Sequence, residues 1–392
     1  MNQFILTDIN RPVEQLTSKV SSAEISLAGA SHWSVKKRTL QGGVSTGVDV
    51  VEIDNGALCL SLLPTRGMGI WKGEYQGHSL GWNSPVKNPV HPQWVNLTDR
   101  NGLGWLSGFN ELMCRCGLSS IGPPGNDKGG NPLENPLPLH GRIANLPADN
   151  LSVEIDERGD GTISVTGIVN ECGLFTSQLQ LKSTLRTTAG SNKFQIEDEI
   201  KNTSSKPAEF QLLYHTNIGE PFLEEGTTFH AAMKEISPRD TTAAEGIETW
   251  KTFGPPETGF AEQVYFFDLL ANEFNKSQVL LKNKTGDLGL SMTIAKEQLP
   301  YFILWKNTQA TADGYCVGLE PATNYPNHRS FERQQNRVQA LQPNETYCTS
   351  LEIAIHTSVD EVTKVETEIA KLQERLKPVI HSKPQTNISS SE

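Results

Sequence analysis

At least ten short runs of alternating apolar and polar residues are separated by Gly, Pro, Asn and Asp, with no strand–helix–strand alternation between them. A period of two puts one face of each run on a core and the other toward solvent. Residues 48–63 read as two such runs joined by Asp54-Asn55-Gly56, a hairpin signal. Residues 151–169 repeat the design with Asp160-Gly161 at the turn. Further strands are expected at 174–186, 192–201, 208–214, 263–270, 277–282, 288–295, 301–306 and 347–356. Many short strands without intervening helices predict an all-β, antiparallel sandwich or barrel rather than an α/β fold.

One helix is expected near the end. Ser358-Val359-Asp360-Glu361 forms a capping box, and Val362, Val365, Ile369, Leu372 and Leu376 recur at helical spacing before Pro378. The expected organisation is an N-terminal extension (1–45) packing on the sandwich, a catalytic sandwich (46–357), the helix (358–378) and a disordered polar tail (379–392). Residues 83–110 and 117–138 are long and rich in Gly, Pro, Asn and Trp, and loops of that length are usually functional.

A formal net charge of −11 argues against a nucleic-acid partner, which is held by a basic face, and against anionic membrane surfaces. No signal peptide or bilayer-spanning apolar stretch is visible, so a cytoplasmic protein is expected. The six cysteines are then expected as free thiols. Exposed sheet edges are compatible with a homodimer.

Three short motifs carry candidate chemistry: Leu139-His140-Gly141-Arg142, Tyr214-His215-Thr216-Asn217 and Gly318-Leu319-Glu320-Pro321. His215 ends an apolar run, and Glu320 sits between apolar residues and a proline. A carboxylate in such a strand is costly to bury unless it is hydrogen-bonded or functional. Brought together, an imidazole and a carboxylate suit proton transfer on a neutral polar substrate. Arg66, Arg142 and Arg329 are fork-shaped donors able to reach sugar hydroxyls. Trp71, Trp82, Trp94, Trp105 and Trp305 could offer stacking faces, although packing explains most tryptophans.

The order Pro64-Thr65-Arg66, Leu139-His140-Gly141, Tyr214-His215-Thr216-Asn217 and Val317-Gly318-Leu319-Glu320-Pro321 resembles the aldose 1-epimerase (galactose mutarotase-like) superfamily over about residues 45–356. His140-Gly141-Arg142 with Leu319-Glu320-Pro321-Ala322-Thr323-Asn324 is most similar to its domain-of-unknown-function 4432 branch. The resemblance implies an antiparallel β supersandwich whose open cleft takes a small-molecule sugar. It implies mutarotation, with Glu320 as base at the anomeric hydroxyl and His215 as acid at the ring oxygen. His140 and Arg66 would hold the sugar, with Arg142 and Asn217 as further binders, and no metal or organic cofactor is needed. The family's sugar-binding aspartate has only Asp268 as a candidate here. Arg142 and Arg329 would suit an acidic or phosphorylated sugar. A non-catalytic carbohydrate-binding protein on the same scaffold, or a related isomerase or lyase, remains open.

Overall fold

The computed structural model describes residues 2–11 and 18–390. Residues 1 and 12–17 of the expected extension, and 391–392 of the expected tail, lie outside the described residues. The chain is an antiparallel β supersandwich. Among the described residues, one sheet has nine strands and the other fourteen. The signalled hairpins form: Asp49–Asp54 pairs with Leu58–Leu63, and Ala148–Ile155 with Thr162–Glu171. Gly56 and Gly161 take the left-handed backbone that each turn needs, at φ 97° and 78°.

The large sheet positions the site. Strands Leu58–Leu63, Gly69–Tyr75, Met113–Leu118, Ala208–Ile218, Cys316–Ala322, Tyr301–Asn307 and Gln263–Leu269 lie in that spatial order. Alternation divides each strand between two faces. Phe210, Leu212, Tyr214 and Ile218 join Val317, Leu319, Phe302, Leu304, Tyr265 and Phe267 in the main core between the sheets. The opposite face carries Cys114, Cys116, Leu213, Ala322, Ile303, Val264 and Phe266. This face is concave, and the long loops fold over it, contributing Trp105, Phe109 and Ile121 to a second apolar cluster. Residues 83–110 and 117–138 thus gain order from tertiary burial, not from local periodicity.

The two sheets are joined by a buried polar network. Arg115, between Cys114 and Cys116 and therefore facing the core, forms an ion pair with Asp198 and donates to Ser183 Oγ (2.7 Å) and the Met68 carbonyl (2.7 Å). The Tyr214 hydroxyl donates to Asp198 (2.8 Å). Buried charge is tolerated here because each group is paired and hydrogen-bonded.

Residues Asn2–Asp8 form the edge of the smaller sheet, paired with Ala148–Ile155, while Ser18–Ser21 and Ser34–Thr39 extend the large sheet. The described residues of the N-terminal stretch thus contribute strands to both sheets. The C-terminal helix runs Val359–Gln373, with Ser358 Oγ accepting from the Glu361 amide. Val362, Val365 and Ile369 are buried as the spacing requires, but Leu376 lies beyond the helix and is exposed. Residues 379–390, expected to be disordered on composition, are ordered. Val379–Ile380 pairs in parallel with the strand Met233–Pro238, and Ile388 is buried in the second apolar cluster. Asn327 and Arg337 donate to the carbonyls of Ile388 and Asn387. One isoleucine and these bonds override a composition that is otherwise polar. All six cysteines are free thiols.

Candidate active site

His215 and Asn217 are successive outward-facing residues of the strand Ala208–Ile218, and Glu320 belongs to the neighbouring strand Cys316–Ala322. The register places Thr216 opposite Leu319 and Asn217 opposite Gly318, so His215 and Glu320 become near neighbours on the concave face. His215 Nε2 lies 3.2 Å from Glu320 Oε1, and the residues are only 5% and 3% exposed. The two do not stand on opposite sides of a sugar-sized space; they touch.

Asn217 fixes the imidazole. Its Nδ2 donates to the backbone carbonyls of Glu111 (3.0 Å) and His215 (3.2 Å), which settles which way the amide points. Its Oδ1 is therefore the atom 2.7 Å from His215 Nδ1, and it accepts the Nδ1–H. Nε2 is left facing Glu320 Oε1, which lies close to it but has no hydrogen-bond partner among the described residues.

Gly318 makes room for the carboxylate. A Cβ there would stand 2.3 Å from Glu320 Oε1 and 3.0 Å from Trp305 Cβ. The Gly-x-Glu spacing thus has a steric origin: both residues face the same side of one strand, and only a missing side chain leaves space for the other.

The surroundings are apolar. Phe109 meets the His215 ring edge-on with centroids 5.0 Å apart, and Trp305 does so at 5.3 Å. Burial pushes the His215 imidazolium down to about 3, an effect reinforced by neighbouring His140 and opposed by the Asn217 bond. Burial likewise raises the Glu320 carboxyl well above the usual carboxylate range, with the charge of Glu262 adding to the effect. Desolvation penalises both charges, which favours the neutral imidazole and the protonated carboxyl.

His140 enters over the concave face with φ 55°, followed by Gly141 at 72°. A Cβ at Gly141 would lie 2.3 Å from the Gly117 carbonyl oxygen and 2.4 Å from that of Ser120, so only glycine permits this close crossing. His140 Nδ1 donates to the Ile121 carbonyl (2.7 Å), and its ring packs edge-on to Trp105 at 4.7 Å. Burial lowers its imidazolium to about 4, so it is neutral, with Nε2 an acceptor. Its ring centroid is 5.7 Å from that of His215.

The other expected binding residues lie elsewhere. Arg66 is buried, with its donors used by Glu111 Oε1 (2.6 Å), Asn145 Oδ1 and the carbonyls of Val90 and Gly108. A guanidinium taken out of water needs such saturation, and here it pins the loops behind the site instead of a ligand. Arg329 is likewise internal, paired with Glu209 (3.0 Å) and bonded to the Ser119 carbonyl. Arg142 turns into a separate small cleft shared with Glu134, Glu171 and Glu209. Asp268 accepts from Lys296 and Lys234. Asn217 is within the site, but its amide is committed to His215 and Glu111.

Sequence reading missed two rim residues. Glu262 accepts from the Trp305 indole N–H (2.7 Å) and from Arg239 (2.9 Å). Neither carries a motif signal; Glu262 precedes the strand Gln263–Leu269, which pairs with Tyr301–Asn307, and Arg239 follows Met233–Pro238, which pairs with Gln263–Leu269 in turn. Phe109 was equally unmarked.

The family model described as "Domain of unknown function (DUF4432)" matches residues 45–355. A candidate aldose 1-epimerase from Klebsiella pneumoniae subsp. pneumoniae has the same structure with a TM-score of 0.93; it is 35% identical, and the match covers 98% of each chain. A galactose mutarotase-like protein from Clostridium acetobutylicum is 14% identical over 82% of this chain and 98% of its own, with a TM-score of 0.56. Galactose 1-epimerase from Lactobacillus acidophilus is also 14% identical, over 87% and 99%, with a TM-score of 0.52. The last two likenesses concern the fold alone. No curated protein matches the chain.

Proposed function

The chain belongs to the DUF4432 family, and from that premise we propose that it interconverts the anomers of a neutral sugar by acid–base ring opening at His215 and Glu320. The observation that carries this reading is the contact between His215 Nε2 and Glu320 Oε1, oriented by Asn217 and enclosed by aromatic side chains. The ring oxygen and the anomeric hydroxyl of a pyranose are bonded to the same carbon. The acid and the base that serve them must therefore be close neighbours, as these two are.

Sugar hydroxyls entering the site replace lost solvation and draw the shared proton from Glu320 onto His215. Carboxylate Glu320 takes the proton of the anomeric hydroxyl while His215 delivers its proton to the ring oxygen. The bond between C1 and the ring oxygen breaks, an aldehyde forms at C1, and the pair returns to its neutral form. Rotation about C1–C2 and the reverse transfers close the ring with either configuration. Proton count is conserved, and His140 Nε2 is placed to accept from a sugar hydroxyl.

A neutral sugar suits the charges. Arg142 and Arg329 lie outside the site, and rim Arg239 is neutralised by Glu262 and Asp240. The name borne by the 35%-identical relative, aldose 1-epimerase, supports the same reading.

The test is anomeric exchange by saturation-transfer NMR across neutral aldoses, deoxy sugars, uronates and sugar phosphates, with Glu320→Gln and His215→Asn as controls. Exchange accelerated on a neutral aldose and lost in both variants is expected. Saturable binding without acceleration would leave a carbohydrate-binding protein.

A further inference from the structure

A cleft of about 550 Å³ lies on the same face of the large sheet, separated from the His215–Glu320 pair by Trp82 and Phe109. Its floor comes from Cys59 and Ser61, which alternate with core residues Leu58, Leu60 and Leu62, and its walls include Trp71, Trp82 and Asn83. The far rim is Glu220, at the end of the His215 strand, with Thr311 and Tyr315. Trp82 belongs to both places. It lines this cleft and packs on Phe109 at 5.0 Å, which in turn packs on His215.

Two details set this cleft apart from the others of similar size. Asn110 lines it, is only 4% exposed, and has no hydrogen-bond partner for its Oδ1 or Nδ2 among the described residues. An amide buried without partners is costly and signals a missing one. The cleft is also wired to the pair. The Trp82 indole N–H donates to the Glu111 carbonyl (3.1 Å), the same oxygen that receives Asn217 Nδ2. By contrast, the clefts along Arg186 and beneath the C-terminal helix contain no such orphaned amide.

The lining is polyhydroxylic chemistry's complement: Ser61, Ser79, Asn83 and Asn110 beside two indoles. Lys72 and Lys87 are balanced by Glu74 and Glu220, so no net charge selects an anion. We infer that this cleft holds a second, non-reacting neutral sugar unit, glycosidically linked to the one at His215 and Glu320, so that the natural ligand is an oligosaccharide with a free reducing end. The placement of the reacting unit rests on the proposed function; the cleft's own occupancy does not.

The experiment uses full-length protein labelled with 5-fluorotryptophan, read by fluorine NMR, with resonances assigned through Trp71→Phe and Trp82→Phe. A panel of neutral disaccharides and trisaccharides is titrated against the matching monosaccharides. At least one oligosaccharide should shift the Trp71 and Trp82 resonances saturably and bind about tenfold or more tightly than its monosaccharide. Asn110→Ala should abolish that difference, with Lys87→Ala, on the exposed rim, as a second variant that spares the buried segment. Undisturbed Trp71 and Trp82 resonances, or equal affinity for both sugar classes in the wild type, would overturn the inference. Binding needs no turnover, so oligosaccharide-induced shifts without anomeric exchange would defeat the proposed reaction and leave the cleft standing; exchange without shifts would do the opposite.

Discussion

His215 Nδ1 donates to Asn217 Oδ1 at 2.7 Å, two residues along the same strand, and this bond decides which ring nitrogen Glu320 meets. Replacing Asn217 by Ala removes the acceptor without touching either proton-transfer group. Exchange should fall about 100-fold, in the range of a mispositioned general acid–base group. Nitrogen-15 NMR of His215 should then show both neutral tautomers in place of one. A slow variant with an unchanged tautomer would assign Asn217 another role.

The shared proton dictates the pH profile. The active pair carries one proton. It gains a second only as pH falls toward about 3, where His215 titrates, and loses the first above the ordinary carboxylate range, where Glu320 titrates. Exchange should persist down toward about pH 3 and decline as pH rises through the raised value of Glu320. Because the negative charge of Glu262 raises Glu320, Glu262→Gln should move that high-pH limb to lower pH. An unmoved limb in kcat/KM would show that Glu320 does not control it.

Gly318→Ala tests position against stability. The added methyl would meet the Glu320 carboxylate at 2.3 Å and Trp305 Cβ at 3.0 Å, so the carboxylate must move and the neighbouring strand must give slightly. Exchange should drop by at least about tenfold while the thermal midpoint moves by only a few degrees. Full activity would mean that the carboxylate is not needed where it stands.

Asp198→Ala should do the reverse. It leaves Arg115 charged and buried between the sheets, a loss of about 3–5 kcal/mol that urea unfolding can measure. Whatever protein stays folded should retain anomeric exchange, since Asp198 faces away from the site.

His140 carries an acid-stability cost. Its folded value, about 4, lies below its unfolded one, so the unfolded chain binds the extra proton between pH 6.5 and 4. The stability from the neutral form is present above 6.5 and lost as pH falls through that window. His140→Asn keeps a residue tolerant of positive φ, and should flatten this part of the curve in thermal melts.

Much of the fold was legible because period-two alternation and turn chemistry are local signals; Asp54-Asn55-Gly56 and Asp160-Gly161 both became hairpins. His215 and Glu320 could be singled out as polar residues in apolar strands. Their contact could not, since it depends on strands a hundred residues apart lying side by side in one register. Arg66 and Arg329 were ambiguous for a related reason. In sequence a guanidinium reads the same whether its fork meets a ligand or a carboxylate of the protein, as with Glu111 and Glu209 here. Glu262 and Asn110 carried no pattern at all; Glu262 is marked by its bonds to Trp305 and Arg239, and Asn110 by burial and missing partners.

The burial of Ile388 in the apolar cluster that also holds Trp105 and Phe109 has a practical side. Carboxypeptidase trimming past Ile388 would remove a buried side chain from the apolar cluster behind the reaction face. An N-terminal fusion is the sounder choice for sugar titrations, and a truncated product that binds nothing should be sequenced from its C-terminus before the site is doubted.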